Sequence, residues 1–495
     1  MCKMLSLQAI EANRNVQRTL SLVYLKAAST VLPGGRVIIE NSLSKGLYTM
    51  IRGAAYGDAE VAAIEEQMHR LIRADLPIQL RCMSKAEAAA LLKKGDHAEK
   101  LRLLELLPEG QQVRLYELDG YFDFFYGEML PATGTLPPFE LRRYRKGVLL
   151  RFPEPSAPHV VPPYTENPLL YDAFAEAVEW NRILGIEYVP DLWDAVREGR
   201  TKEIIQLSEA LQEKSIARIA DRIKEEKRRI VLIAGPSSSG KTSFANRLIV
   251  QMKVNGLHPL YLGTDDYFVE RTETPIGPDG KPNYEDLDCL DLQLFQSQMN
   301  SLLAGERVDM PSYNFLTGKK EYGKRFVQVE PNAPIVIEGI HGLNPALTAD
   351  IPEEQKFKIY ISPLTQLNID NHNRIPTTDA RMLRRIVRDS QFRNYPAAHT
   401  IDAWPSVRAG EDKNIFPFAN EADAFFNTHH AYELGVMRAY AEPLLQAITI
   451  KEPQYPEAQR LLQFLRFFPV IDQTDAIPNN SILREFIGGS IFFEE

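Results

Sequence analysis

Apolar positions along the chain change their period twice, and the changes divide it into regions. Over residues 14–150 helical and strand spacings are mixed. Val16, Leu20, Val23 and Ala27 recur at helical spacing until Pro33-Gly34-Gly35 stops the run, which predicts a first helix. RVIIE and GLYTMI read as strands on either side of a turn at Asn41-Ser42-Leu43-Ser44. EVAAIEEQMHRLIRADLP and KAEAAALLKK read as amphipathic helices, and VRLYEL and YFDFFYG as later strands.

Six prolines then fall between Arg151 and Pro168, a density that excludes helix and interior strand alike. That segment is either a connector or an extended arm laid over a surface. Helical spacing returns from 169 to 229, with Ile216, Ile219 and Ile223 on one face. Beyond it RRIVLIAG, PIVIEGI and KFKIYIS are short β-branched runs separated by helical or loop material, the pattern of a parallel sheet with crossover helices. The tail from 452 reads as helix (EAQRLLQFLRFF) and then an irregular segment. The expected organisation is an α+β domain over 1–150, a proline-rich connector and helical linker over 151–227, an α/β domain over 228–450, and a helical extension over 451–495.

Acidic side chains outnumber basic ones, 66 to 57, which argues against a surface that attracts nucleic acid everywhere and leaves room for a local basic patch. Cys2, Cys82 and Cys289 are far apart, which excludes a disulfide scaffold and any sequence-readable zinc finger. No run of apolar residues is long enough for a membrane span, and Glu11 and Asn13 interrupt the start before a signal-peptide core can form. A soluble, cytoplasmic protein is expected.

The densest chemistry lies in IVLIAGPSSSGKTSFANRLI, where Gly235 and Gly240-Lys241-Thr242 fill G-x-x-x-x-G-K-[ST] between an apolar strand and an amphipathic helix. A tight turn there aims backbone N–H groups and the positive end of the helix at phosphate oxygens. Residues Gly235, Pro236, Ser237, Ser238, Ser239, Gly240, Lys241, Thr242 and Ser243 are therefore candidates for binding ATP. Lys241 would reach the β and γ phosphates, and the Thr242 hydroxyl would hold Mg2+. The alternative is a glycine-serine turn that binds nothing. Glu338, which closes PIVIE before Gly339, stands where the metal's second partner belongs, or is an ordinary strand-end carboxylate. His341 nearby reads as a packing residue rather than a ligand.

Another apolar run, LYLGTDDYF, ends in acids and puts Asp265 and Asp266 at the carboxyl edge of the sheet. Either could accept the proton of an attacking hydroxyl or simply cap the loop. DARMLRRIVRDSQFR concentrates arginines, with Arg381, Arg384, Arg385 and Arg388 on one helical face. Like charges so spaced repel, so the face is either solvated or a lid that neutralises transferring phosphate.

GPSSSGKT, TDDYF, PSYNF, VIEGI and RRIVRD occur in the order seen in the uridine kinase and phosphoribulokinase group of P-loop kinases, and over 228–450 the chain resembles that family. The resemblance implies an α/β P-loop NTPase fold with a parallel sheet and helical lid, and Mg-dependent transfer of phosphate from ATP to a hydroxyl of a small molecule, uridine or cytidine by analogy. By position it implies Asp265 as catalytic base, Glu338 as magnesium-associated acid, Arg385 as a sugar contact, and Arg388 and Arg393 as phosphate contacts. Tyr313 falls where the nucleobase is met and Glu285 where the ribose hydroxyls are held. The chain departs from the family at Gly318, where a base-reading histidine is expected, at Tyr395 in place of an arginine, and in the longer stretch SPLTQLNIDNHNRIPTTD.

Residues 14–150 resemble the second additional, editing domain of threonyl-tRNA synthetases through RTLSLVYLKAASTVLP and YFDFFYGEMLPATG. The positions of the hydrolytic histidines and cysteine hold Arg18, Leu22, Phe125, Glu128 and Met129, none suited to activating water with a metal. The editing-like domain is thus expected to be degenerate. Two functions follow: a nucleoside kinase, or an RNA-binding or regulatory ATPase that uses the N-terminal domain for recognition.

Overall fold

The computed structural model describes residues 7–95, 97–277, 280, 282–365 and 367–493, so Cys2 and the first residues of the chain lie outside it. Cys82 and Cys289 are free thiols, one exposed and one buried.

Five parallel strands form the central sheet: β1 (Ile230–Ala234), β2 (Leu260–Gly263), β3 (Ile335–Glu338), β4 (Lys356–Ser362) and β5 (Ala424–Asn427). Their spatial order is β5-β4-β1-β3-β2. Ile230 and Val231 pair with Ile335 and Val336 on one side and with Lys356 and Phe357 on the other. All five residues of β1 are buried, because helices cover both faces of the sheet and a β-branched run fits that place without alternation. The chain lays β2 and β3 on one side of β1 before crossing to β4 and β5 on the other, so the carboxyl end of β1 is the switch point at which α/β sheets open a crevice.

The helix Lys241–Val254 follows β1 at once. Gly240 caps it in the left-handed region, φ +87°, and a side chain there would collide with Ile482, so both the turn and the packing call for glycine. After β2 comes a 3₁₀ turn, Thr264–Tyr267, and after β4 the arginine-rich helix Thr377–Phe392. An antiparallel hairpin, Val308–Asn314 with Lys319–Val327, stands beside the sheet. The helices Pro168–Leu184, Val189–Arg197 and Thr201–Glu225 and the C-terminal helix Tyr455–Leu465 share one apolar core with β1 and β4, a core continuous across 227/228 and 450/451.

The N-terminal region has its own core between helices Leu7–Val31 and Asp58–Arg73 and a four-stranded antiparallel sheet. The turn of its first hairpin differs from expectation. The strand Arg36–Leu43 runs on past Asn41 through a bulge, and the chain reverses at Ser44-Lys45, both in the left-handed region. Of YFDFFYG only Tyr121–Asp123 is strand. The proline-rich segment holds turns over 155–159 and neither helix nor strand over 152–167, and the buried Arg151 donates to the carbonyl of Pro162 within it.

Residues 367–376, before the arginine helix, form a strap that ties the two regions together. Asn371 O accepts from the N–H of Ile39 at 2.8 Å, and Asn368 Nδ2 donates to Ile39 O at 3.0 Å. His372 enters the N-terminal region, with Nδ1 2.6 Å from Asp123 Oδ2 and Nε2 donating to Val37 O at 3.0 Å. Among the described residues no helix is long and apolar enough to cross a membrane.

Candidate functional site

The carboxyl edge of the sheet gathers side chains from five segments. The Gly235–Thr242 loop leads into the first helical turn, whose N–H groups have no partner within the helix. Ser238 is held at φ +59°, and the hydroxyls of Ser238 and Ser239 are buried without a partner among the described residues. Lys241 Nζ reaches the carbonyl of Pro236 at 3.5 Å and lies over the mouth of the loop.

Glu338 ends β3 beside the start of that helix. Its Oε2 accepts from the Thr242 hydroxyl at 3.2 Å and from the Tyr261 hydroxyl at 3.3 Å. Burial pushes its carboxyl up to about 7, with Lys241 opposing and the charges of Asp265 and Glu485 adding to the rise. A hydroxyl and a carboxylate side by side suit Mg2+, which takes few protein ligands and completes its shell with water and phosphate oxygens.

Asp265, in the turn after β2, is open to solvent at the mouth of the cleft, and its carboxylate has no hydrogen-bond partner among the described residues. The surrounding protein raises its pKa, Lys241 opposes the rise, Asp266 adds to it, and Arg393 opposes it. Its charge is therefore felt by the loop lysine and by Glu338. Asp266 points elsewhere: it accepts from the N–H of Tyr313 at 3.4 Å and pairs with Arg325 at 3.2 Å.

The arginine helix divides its charges. Arg381 and Arg384 are buried and bind the loop from behind: Arg381 Nε donates to Ser237 O at 2.9 Å, and Arg384 Nη1 donates to Ser238 O and Ser239 O at 3.3 Å. Glu411 and Glu433 neutralise them. The outcome differs from the single basic face that the spacing predicts, because the helix packs into the core on the side carrying these two. Arg385 reaches the Ser237 hydroxyl at 2.9 Å. Arg388 and Arg393 pair with Asp389 at 3.2 and 3.3 Å.

Beyond Asp265 lies an aromatic wall. Tyr313 packs edge-on against Phe268 and Phe315, at 5.5 and 5.2 Å between ring centroids, and its buried hydroxyl has no partner among the described residues. Glu285 stands between this wall and the loop. Burial raises its carboxyl to about 7, Glu411 and Asp265 add to that, and Arg385 and Lys241 oppose it. Gly318 forms the hairpin turn at φ +70° against Arg271, so the position is fixed by backbone geometry. Tyr395 stacks on His399 at 4.4 Å on the surface. His341 is buried, and burial draws its pKa down to about 4.

Two carboxylates that the sequence does not single out also touch the loop. Glu411 Oε1 accepts from the N–H of Ser237 at 3.1 Å. Glu485 Oε2 accepts from the N–H and the hydroxyl of Ser243, at 3.3 and 2.8 Å.

In the N-terminal region Arg18 is tied to Glu11, Asn15 and the carbonyl of Glu128, while Leu22 and Phe125 are buried in the core. The polar centre there is instead Lys100 with Asp123 and the strap's His372.

Residues 230–434 match the family model described as Phosphoribulokinase / Uridine kinase family. A uridine kinase of Lactobacillus helveticus is 29% identical over 201 residues, which cover 40% of this chain and 86% of that protein. The N-terminal region is similar to threonine–tRNA ligases; that of Syntrophomonas wolfei is 34% identical over 128 residues, 26% of this chain and 20% of the ligase. Among solved structures, a D-glycerate 3-kinase from Cryptococcus neoformans shares 14% identity over 53% of this chain and 89% of that one, with a TM-score of 0.23.

Proposed function

On the premise that residues 230–434 form a kinase domain of the Phosphoribulokinase / Uridine kinase family, joined to a region like that of threonine–tRNA ligases, we propose that the protein transfers the γ-phosphoryl group of ATP to a hydroxyl of a small molecule, the 5′-hydroxyl of a nucleoside. The supporting observation is the cleft itself: an unpartnered carboxylate, Asp265, within the field of Lys241 across from a loop built for phosphate.

The Gly235–Ser243 loop and Lys241 hold the triphosphate, and Arg385, Arg388 and Arg393 stand on the side where charge develops on the transferring group. Thr242 and Glu338 are the residues that would hold Mg2+, which screens the phosphate charges when bound. Asp265 orients the acceptor hydroxyl and takes its proton. The oxygen–γ-phosphorus bond forms, the bond from γ-phosphorus to the bridging oxygen breaks, and ADP leaves. The raised pKa of Asp265 makes it a better proton acceptor than an ordinary carboxylate. Tyr313, with its free buried hydroxyl, and Glu285 bound the space for the acceptor, and a planar base against the aromatic wall suits those surfaces.

The test is incubation with ATP, magnesium and a panel of nucleosides, sugars and hydroxy acids, followed by separation of phosphorylated products. A nucleoside 5′-monophosphate supports the reading. ATP consumed only when tRNA is added would favour a regulatory ATPase instead.

A further inference from the structure

The C-terminal segment sets a carboxylate at the start of the loop's helix. Ser243 lies in the first turn of Lys241–Val254, and both its N–H and its hydroxyl donate to Glu485 Oε2. N–H groups of a first helical turn carry the positive end of the helix dipole and are the donors that a loop of this kind offers to phosphate. Glu485 and a bound phosphate oxygen therefore compete for the same donors.

The backbone around Glu485 is fastened to the loop from behind. Ser481 Oγ donates to Glu209 at 2.5 Å, and the same glutamate pairs with Arg247 of the loop's helix at 3.3 Å. Ile482 and Phe486 are fully buried, the first against Gly240 and the second under the Arg384 guanidinium, 4.8 Å from the ring centroid. Glu485 itself is only partly buried, in a single helical turn, Arg484–Ile487. Its side chain can swing into solvent while the segment stays in place.

We propose that Glu485 is a built-in competitor of the nucleotide: in the ligand-free chain its carboxylate occupies the anion subsite at Ser243, and a nucleoside triphosphate binds only as that carboxylate rotates out. The inference rests on the loop being an ATP site. It gives the C-terminal segment a role in setting nucleotide affinity, and it makes Glu485 a brake on binding rather than a contact to the bound nucleotide. A second negative charge beside Glu338 and the incoming phosphates would otherwise be hard to accommodate.

The experiment is calorimetric titration of Mg-ATP into the full chain, wild type and the variants Glu485→Ala and Glu485→Gln, with thermal melts of each in the absence of nucleotide. Glu485→Ala is expected to lower the ATP Kd about tenfold, or about 1.4 kcal/mol, while its nucleotide-free melting temperature falls because the contact to Ser243 is lost. Glu485→Gln keeps an acceptor oxygen and loses the charge, so its Kd is expected between the two. Opposite movement of affinity and stability is the signature, since simple structural damage lowers both. Should Glu485→Ala not melt cooperatively, the isosteric Gln variant carries the test. ATP binding by the wild type that is unchanged or weaker in the folded variants overturns this inference alone; no ATP binding by the wild type overturns the kinase reading and this inference together.

Discussion

A proton acceptor beside a triphosphate must be basic yet close to cations, and Asp265 meets both conditions: the protein around it raises its pKa while Lys241 and Arg393 sit within range. Asp265→Asn keeps the shape and removes the base, so turnover is expected to fall about 10²- to 10⁴-fold with ATP affinity unchanged, as measured by initial rates beside equilibrium binding. Glu285 gives a second test at this scale. In the folded chain it keeps its proton up to about pH 7, whereas the unfolded chain releases it near the ordinary value of 4.5. Between those values the folded state holds the extra proton, so the contribution of Glu285 to stability is full below 4.5 and is lost as pH rises to about 7. Urea unfolding of the ligand-free protein at pH 5 and pH 8 should show this loss in the wild type and a smaller one in Glu285→Gln. The positions of Asp265, Glu338 and Thr242 at the carboxyl edge of the sheet were legible in the sequence because each ends or closely follows a strand or belongs to a contiguous loop motif. Glu411 and Glu485 were not, since they reach the loop from 174 and 242 residues away and no local pattern marks them.

Spacing along an element tells which side chains share a face, but not what covers it. The arginine helix shows the difference: Arg385 and Arg388 are only partly buried, whereas Arg384, beside the first of them in sequence, is wholly buried between the loop carbonyls and Glu433. Burial would raise the pKa of Glu433, yet Arg384 holds it down at about 2. Truncation of Arg384 leaves that glutamate charged and unpaired in the core, a change that costs about 3–5 kcal/mol. Arg384→Ala is therefore expected to shift the denaturant midpoint strongly, while Arg393→Ala, on a half-exposed residue, leaves stability nearly untouched and acts on turnover; chemical denaturation of both variants separates the two. The first hairpin makes the same point for strands. A polar cluster at Asn41 to Ser44 suggests a turn, but the bulge after Ile39 keeps Asn41 and Leu43 buried, and the reversal falls on the next two residues. The extra length before the arginine helix was visible in the sequence, and its purpose was not: the strap spends that length on crossing to the N-terminal region.

At the scale of the whole chain, the boundaries suggested by composition do not mark where the cores part. Linker helices and C-terminal helix are built into the core around the parallel sheet, and the N-terminal region is joined to it by the strap through a cluster of buried charges. Lys100 there is fully enclosed, paired with Asp123 and 3.6 Å from Asp370 of the strap. Burial works against the charge on Lys100, but the two aspartates outweigh it and raise its pKa. Asp370 in turn fixes the strap by accepting from the N–H groups of His372 and Asn373 at 2.8 and 3.0 Å. Such a cluster couples the stability of the two regions, because Lys100 faces a buried aspartate of the N-terminal region and one of the strap. The wild type should accordingly unfold in one calorimetric transition. Lys100→Met keeps the volume and removes the cation the two aspartates share, so the N-terminal region is expected to lose up to about 3–5 kcal/mol and should melt first, splitting the endotherm in two. A single transition at the wild-type temperature in that variant would show that the strap holds the two regions through its other hydrogen bonds, those to Ile39, Val37 and Phe124 among them, with the charge of Lys100 contributing nothing to the joint.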